Sequence, residues 1–241
     1  MVIYGLNPVL EALRAGRVRR VKVGSRGDTR TEKAVALAKA AGIPVERVDA
    51  QALDRLSRGG VHQGIAAEVE APRDYSVREL VDGAAPQAPL LLVLDGIEDP
   101  HNVGAIIRSV DAAGAHGVIR QERHAAALDG IAAKASAGAT SVVKVATVVN
   151  IARAIEELKE AGVWTVGFAG EAVETYDTVD FTLPTALVVG GEGDGLRRLT
   201  RERCDRLVRI PMSGSVDSLN VSVAGGVALF EAARQRRVKS R

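Results

Sequence analysis

The chain has a single cysteine, Cys204, among its 241 residues. This excludes an intrachain disulfide and any metal site built from clustered thiolates. The four histidines, His62, His101, His116 and His124, lie in unrelated segments without the His-x-x-x-His spacing of a zinc site, so no metal is expected. Aromatic residues make up only 3%, too few for a sheet on which several bases stack, and an RRM-like mode of RNA binding is disfavoured. No apolar run approaches the roughly 18 residues that span a bilayer. The opening MVIYGLNPVLEALRAG also lacks the charged head and long apolar centre of a signal peptide. The expectation is a cytoplasmic protein without a membrane partner.

Charge of one sign is scarce overall, the net being +2, but it is unevenly placed. Residues 1–70 hold 12 Lys and Arg against 8 Asp and Glu, which leaves the rest of the chain with 20 against 22. Arg14, Arg17, Arg19 and Arg20 lead a basic stretch that runs to Lys33, and Arg234, Arg236, Arg237, Lys239 and Arg241 close the chain. Clustered cations neutralise phosphates and release counterions, and the same pattern also suits a solvated helix face and a frayed terminus.

With 46% hydrophobic residues the chain can bury a substantial core, and its length fits one large or two modest domains. Residues 1–70 alternate helical and strand patterns: NPVLEALRAG, with Asn7 as cap and Pro8 as first helical residue, then VRRVKVGS, TRTEKAVALAKAAG, IPVERV and VHQGIAAEV. Pro72, Gly83, Pro86 and Pro89 mark residues 71–89 as a linker. From residue 90 onward the strand candidates LLLVLD, GVIR, VWTVGFAG, ALVVGG and DRLVRIPM alternate with helical stretches at 102–115, 128–137 and 149–161. Such alternation implies a parallel sheet with helices on both faces.

Three places in this larger part carry polar residues just beyond a buried strand. After LLLVLDGI comes DPHNVGAIIRS, where Asp-Pro turns the chain and Asn102 stands where a helix begins, with Arg108 further along it. LVVGGEGDGL runs a strand into a glycine-rich turn holding Glu192, and Gly190 and Gly191 there permit close approach of a ligand to the backbone. IPMSGSVDSLNVSVAGGVALFE places Ser218 and Asn220 in a loop ahead of a final helix, where an ordinary helix cap is the simplest role. Asp95 and Asp99 flank a strand end, for which loop formation is explanation enough.

The patterns N-x-G-x-x-x-R, G-x-E-G-x-G and IPM-x-G-x-V-x-SLNVSVA, in this order and spacing, resemble the three motifs of the SpoU (TrmH-like) RNA ribose 2′-O-methyltransferases of the SPOUT class. The likeness covers roughly residues 90–237. YGLNPVLEAL and HQGIAAEV extend it, because they look like the small RNA-binding domain that precedes the catalytic domain in RlmB-like enzymes, which modify 23S rRNA.

The resemblance implies an α/β fold of SPOUT type, with a deep C-terminal trefoil knot and a parallel sheet flanked by helices, preceded by a small α/β domain. The domains would be 1–70 for RNA binding, 71–89 as linker and 90–241 for methyl transfer. It implies S-adenosylmethionine as cofactor, surrounded by Gly190, Gly191, Ile210 and Leu219; glycines suit close approach and aliphatic side chains suit an adenine face. It places Asn102, Arg108, Glu192, Ser218 and Asn220 at the catalytic positions. Because a guanidinium keeps its proton across the physiological range, Arg108 is read as a clamp on the target phosphate and a stabiliser of developing negative charge rather than as a base. Asn102, Ser218 and Asn220 would fix local geometry, with Glu192 orienting one of them. Arg14, Arg17, Arg19, Arg20 and His62 are the candidate RNA contacts, His62 being equally suited to a structural hydrogen bond. The partners implied are RNA (23S rRNA before tRNA) and a second copy of the chain, with residues 221–233 as the candidate contact.

Two readings of other classes stand beside this one. A Rossmann dehydrogenase would need G-x-G-x-x-G after its first strand and an acid about 20 residues on, and GGEGDG is not that pattern. A non-catalytic RNA-binding or assembly factor would keep the fold without the reaction, and the presence of all five polar motif residues argues against it.

Overall fold

The computed structural model describes residues 1–25, 29–70, 73–128, 130–191, 193 and 195–239, apart from the side chain of Arg30. Contacts gather them into two units, each discontinuous in sequence. The first comprises Met1–Pro72, Val103–Arg108 and Ala127–Val142; the second comprises Arg73–Asn102, Ser109–Ala126 and Val143–Arg241.

The first unit begins β1 (Val2–Tyr4), α1 (Leu6–Arg14), β2 (Val18–Gly24), α2 (Thr29–Ala40), β3 (Val45–Val48), α3 (Ala50–Ser57) and β4 (Ile65–Val69). Its sheet runs β1-β4-β2-β3, antiparallel except for the parallel pair β2 and β3. Ile3, Val9, Ala12, Val21 and Ile65 form its core, joined by Ala133 from far along the chain. Helix α1 starts earlier than Asn7 and Pro8 imply. Gly5, at φ 92°, is its N-cap, so Pro8 falls in the first turn, where a missing N–H costs no helical bond.

The chain continues through α4 (Val77–Asp82), β5 (Leu90–Asp95), α5 (Pro100–Ala113), β6 (Gly117–Gln121), α6 (Gly130–Ala135), β7 (Val145–Val148) and α7 (Ile151–Glu160). Then follow β8 (Trp164–Phe168), β9 (Glu174–Thr175), β10 (Thr185–Gly190), α8 (Arg198–Arg203), β11 (Arg206–Arg209) and α9 (Val221–Lys239). Seven of these strands form one parallel sheet in the order β7-β6-β5-β10-β8-β11-β9. The interior strand β5 is buried at all six positions, as a strand covered on both faces must be. Residues expected as a linker include α4, whose Ser76 and Glu79 form a reciprocal capping box and whose Val77 and Leu80 enter the core.

Helix α5 likewise begins before Asn102. Asp99 caps it by accepting from the amides of His101 (3.0 Å) and Asn102 (3.4 Å), with Pro100 as the first helical residue. Gly104, the glycine of the first motif, lets α5 approach α6: a Cβ there would lie 2.6 Å from the carbonyl oxygen of Ala132. The last helix does not fray where its sequence turns basic. Arg236 donates to the carbonyls of Pro89 (2.8 Å), Phe181 (2.9 Å) and Leu183 (2.9 Å), while Gln235 pairs with the amide of Phe181 and the carbonyl of Val179.

The pairing of β11 with β8 is set by Asp205. Its Oδ2 accepts from the amide (2.9 Å) and hydroxyl (2.7 Å) of Thr165, and its Oδ1 faces Lys159 Nζ at 2.9 Å. Burial opposes the charged carboxylate, but these hydrogen bonds and the Lys159 ammonium hold its pKa below the usual value. A lowered native pKa contributes stability above the unfolded value and loses it as pH falls through the native one. Asp205→Ala should therefore cost about 2–3 kcal/mol near pH 7. Urea denaturation should show the gap between wild type and variant closing as pH is lowered from about 5 to about 3.

Candidate active site

In the second unit, β5, β6 and β7 step outward on one side of the sheet, after which β10 returns to lie between β5 and β8. Parallel sheets bind ligands beyond the carboxyl ends of their strands where the strand order reverses. A cavity of about 530 Å³ opens there, at the ends of β8, β10 and β11. Phe168 and Gly190 end two of these strands; Gly191, Ile210, Ser218, Leu219 and Asn220 complete much of the wall.

All four expected cofactor residues thus line one cavity, together with Ser218 and Asn220. Asn220 Nδ2 donates to Asn102 Oδ1 at 2.9 Å, which joins the first and third motifs although 118 residues separate them. Asn220 Oδ1 accepts from the amide (2.9 Å) and the hydroxyl (2.5 Å) of Ser222 and so also caps α9. Both ends of its amide are thus engaged with protein. Ser218, by contrast, is exposed and its hydroxyl has no hydrogen-bond partner among the described residues. Arg108 is exposed on α5 and its guanidinium makes no ion pair among the described residues. Glu192 lies outside the described residues.

The cavity fits S-adenosylmethionine in size and chemistry. Its volume is within the usual range for small-ligand sites. Ile210 and Leu219 offer apolar surface, glycines expose backbone edges, and Glu171, Arg209 and Asp217 supply charge. Glu171 is ion-paired with Arg201. Cys204 follows α8, packs against the core and is not poised as a thiolate. Burial, reinforced by the carboxylates of Asp205 and Asp95, pushes its thiol up to about 12.

The candidate RNA contacts are engaged to different degrees within the first unit. Arg14 pairs with Glu11, Arg19 with Glu70 at 3.2 Å and Arg20 with Glu46 at 3.7 Å, all well exposed. Arg17 is committed to main chain, reaching the carbonyls of Ser141 and of Glu70 (3.1 Å). His62 Nδ1 accepts from the amide of Gly64 at 3.0 Å and its Nε2 lies 3.3 Å from Asp54. The structural hydrogen bond open to it in the sequence is therefore made.

Sequence reasoning missed two features. Glu171 carried no signal, since the loop that brings it to the cavity has no distinctive pattern. Asp95 had one, because a carboxylate ending an all-aliphatic strand must find a partner once buried. It is 1% exposed and pairs with Arg197.

Residues 89–230 match the SpoU rRNA methylase family, and residues 2–75 match the RNA 2′-O ribose methyltransferase substrate-binding domain. The chain belongs to the SpoU rRNA methylase family. This SpoU methylase is 47% identical, over 99% of both chains, to the 23S rRNA (guanosine-2′-O-)-methyltransferase RlmB of Yersinia pestis. It is 45% identical to the protein of that name from Escherichia coli K12 over 98% of both. Among solved structures it resembles the SpoU methyltransferase AviRb from Streptomyces viridochromogenes in complex with AdoMet, with a TM-score of 0.81 and 29% identity over 99% of this chain and 91% of that one. Like its family, this SpoU methylase is an S-adenosylmethionine-dependent RNA ribose 2′-O-methyltransferase.

Proposed function

We propose that the SpoU methylase described here methylates the ribose 2′-hydroxyl of a guanosine in 23S rRNA, in the cytoplasm and as a homodimer. The observation that carries the reaction is the cavity where all four expected cofactor residues meet Ser218 and the Asn102–Asn220 pair. The choice of RNA rests on the full-length similarity to proteins named for that substrate.

S-adenosylmethionine, held by Gly190, Gly191, Ile210 and Leu219, supplies an electrophilic methyl group. The remaining work falls to the chain's own side chains. A ribose hydroxyl is a weak nucleophile, so it must be oriented and its proton given somewhere to go. Ser218, whose hydroxyl is unpartnered among the described residues, faces the ribose. Asn102 and Asn220 hold the loop that presents it, and Glu192 orients one of these groups. Arg108, whose guanidinium is exposed and unpaired among the described residues, clamps the target phosphate and stabilises charge developing on the attacking oxygen.

Residues 1–70 supply RNA affinity, with Arg14, Arg19 and Arg20 as the exchangeable contacts. Exposed ion pairs such as theirs hold little energy, and a phosphate can replace the carboxylate. Arg17 and His62 serve by holding the surface in shape. Residues 71–89 join this part to 90–241, whose last portion passes through an earlier loop to form the trefoil knot of the family. Exposed Val223 and Phe230 stand seven residues apart on α9 and so share a face, which supports α9 as the subunit contact. No helix among the described residues is long and apolar enough to cross a membrane.

Incubation with unmodified rRNA and with total tRNA, followed by mass-spectrometric mapping, should place one 2′-O-methyl group on a 23S guanosine; methylation confined to tRNA would reverse the choice of substrate. Arg108→Ala should lower the single-turnover rate by about 100-fold or more while S-adenosylmethionine affinity stays within about threefold. Full single-turnover activity in this variant would end the assignment. Sedimentation equilibrium should give a dimer for the wild type and a folded monomer for Phe230→Asp; an unchanged dimer would move the interface away from α9.

A further inference from the structure

The end of β5 holds a buried charge that the reaction does not use directly. Asp95 is 1% exposed, and a carboxylate that deep persists only when its oxygens are fully met. Its Oδ2 accepts from the backbone amide of Arg197 at 2.9 Å, and its Oδ1 accepts from Arg197 Nε at 2.7 Å and from Nη2. The same Nη2 also donates to Gln121 Oε1, at the end of β6.

Asp95 uses its main chain as well. Its carbonyl oxygen accepts from the amide of Gly191 at 2.9 Å. One residue of β5 therefore grips Gly191 through its backbone and Arg197 through its carboxylate. Gly195 N donates to Gly191 O at 3.2 Å, which ties these two glycines to each other. A Cβ on Gly190 would lie 2.1 Å from Gly195 O, and one on Gly191 would lie 2.5 Å from Gly96 O. Gly190, Gly191, Gly193 and Gly195 all line the cavity.

We propose that Asp95, locked by Arg197, is a positioning residue for the cofactor: it holds Gly191, and through it Gly195, in place on the cavity wall that S-adenosylmethionine meets. This rests on the reading of the cavity as the cofactor site. A glycine segment released at one end regains backbone freedom, and ordering it again is charged against binding. The effect should appear in cofactor affinity and in KM for the cofactor, with kcat at saturation little changed.

Asp95→Asn keeps the shape, removes the charge and turns an amide donor toward the guanidinium. Arg197→Gln removes the grip from a side chain that is 46% exposed, so it keeps the test available should Asp95→Asn fail to fold. Leu219→Glu alters the cavity wall without touching the clasp. Titration calorimetry with S-adenosylmethionine should show binding about tenfold weaker for the clasp variants, with kcat within about twofold of wild type and faster amide exchange at Gly191 and Arg197. Leu219→Glu should lose binding. If the folded clasp variants bind within twofold of wild type while Leu219→Glu loses binding, the positioning role is overturned. If all three bind like wild type, the cavity itself has been misread as the cofactor site.

Discussion

The insertion of β10 between β5 and β8 is the constraint on which the rest depends. Six aligned residue pairs tie β10 to β5 along its whole length and four tie its first four residues to β8, so the strand is paired on both edges and its carboxyl end is held by β5. Strands β8 and β11 end beside it, and the three loops that follow have no choice but to crowd one another. The crowding is a consequence of strand order, and it is why polar residues from distant parts of the chain meet. It also explains the glycines: Gly190 and Gly191 stand where neighbouring backbone leaves no room for a side chain.

Strands buried on both faces advertise themselves as aliphatic runs, and β5, β6 and β10 were legible in that way; the less buried β8 and β11 were legible from shorter apolar stretches. The short edge strands β7 and β9 were not, because an edge strand of two to four residues shows no period. Helix starts were displaced for a local reason. Asn7 and Asn102 look like caps, yet Gly5 and Asp99 take that place, since a positive φ and a reach to two amides respectively serve better there. The proline-marked stretch before β5 reads as a linker because a helix of six residues is too short to show a clear apolar stripe.

Part of the cavity's lining was legible in the sequence, since Gly190, Gly191, Ile210, Ser218, Leu219 and Asn220 all fall on it; the use each side chain makes of its partners was not. Residue types and spacing single out Asn220, but only coordinates show that its amide is used twice, once on Asn102 and once on the first turn of α9. The helix cap and the proposed functional position are the same residue. Arg17 makes the opposite point. Its sequence surroundings are those of a phosphate contact, whereas its guanidinium is occupied by carbonyl oxygens. No pattern in the chain announces a long-range partner of that kind.

The first unit draws its residues from three separate stretches of sequence, the last ending at Val142. A chain emerging from the ribosome folds domain by domain from its N-terminus, but here the order of synthesis and the order of completion part company. The four strands of the small sheet are made by residue 69, while Ala133, which closes their core, is added only after another full stretch of chain. Until then the core of the nascent N-terminal part lacks the contribution of Ala133.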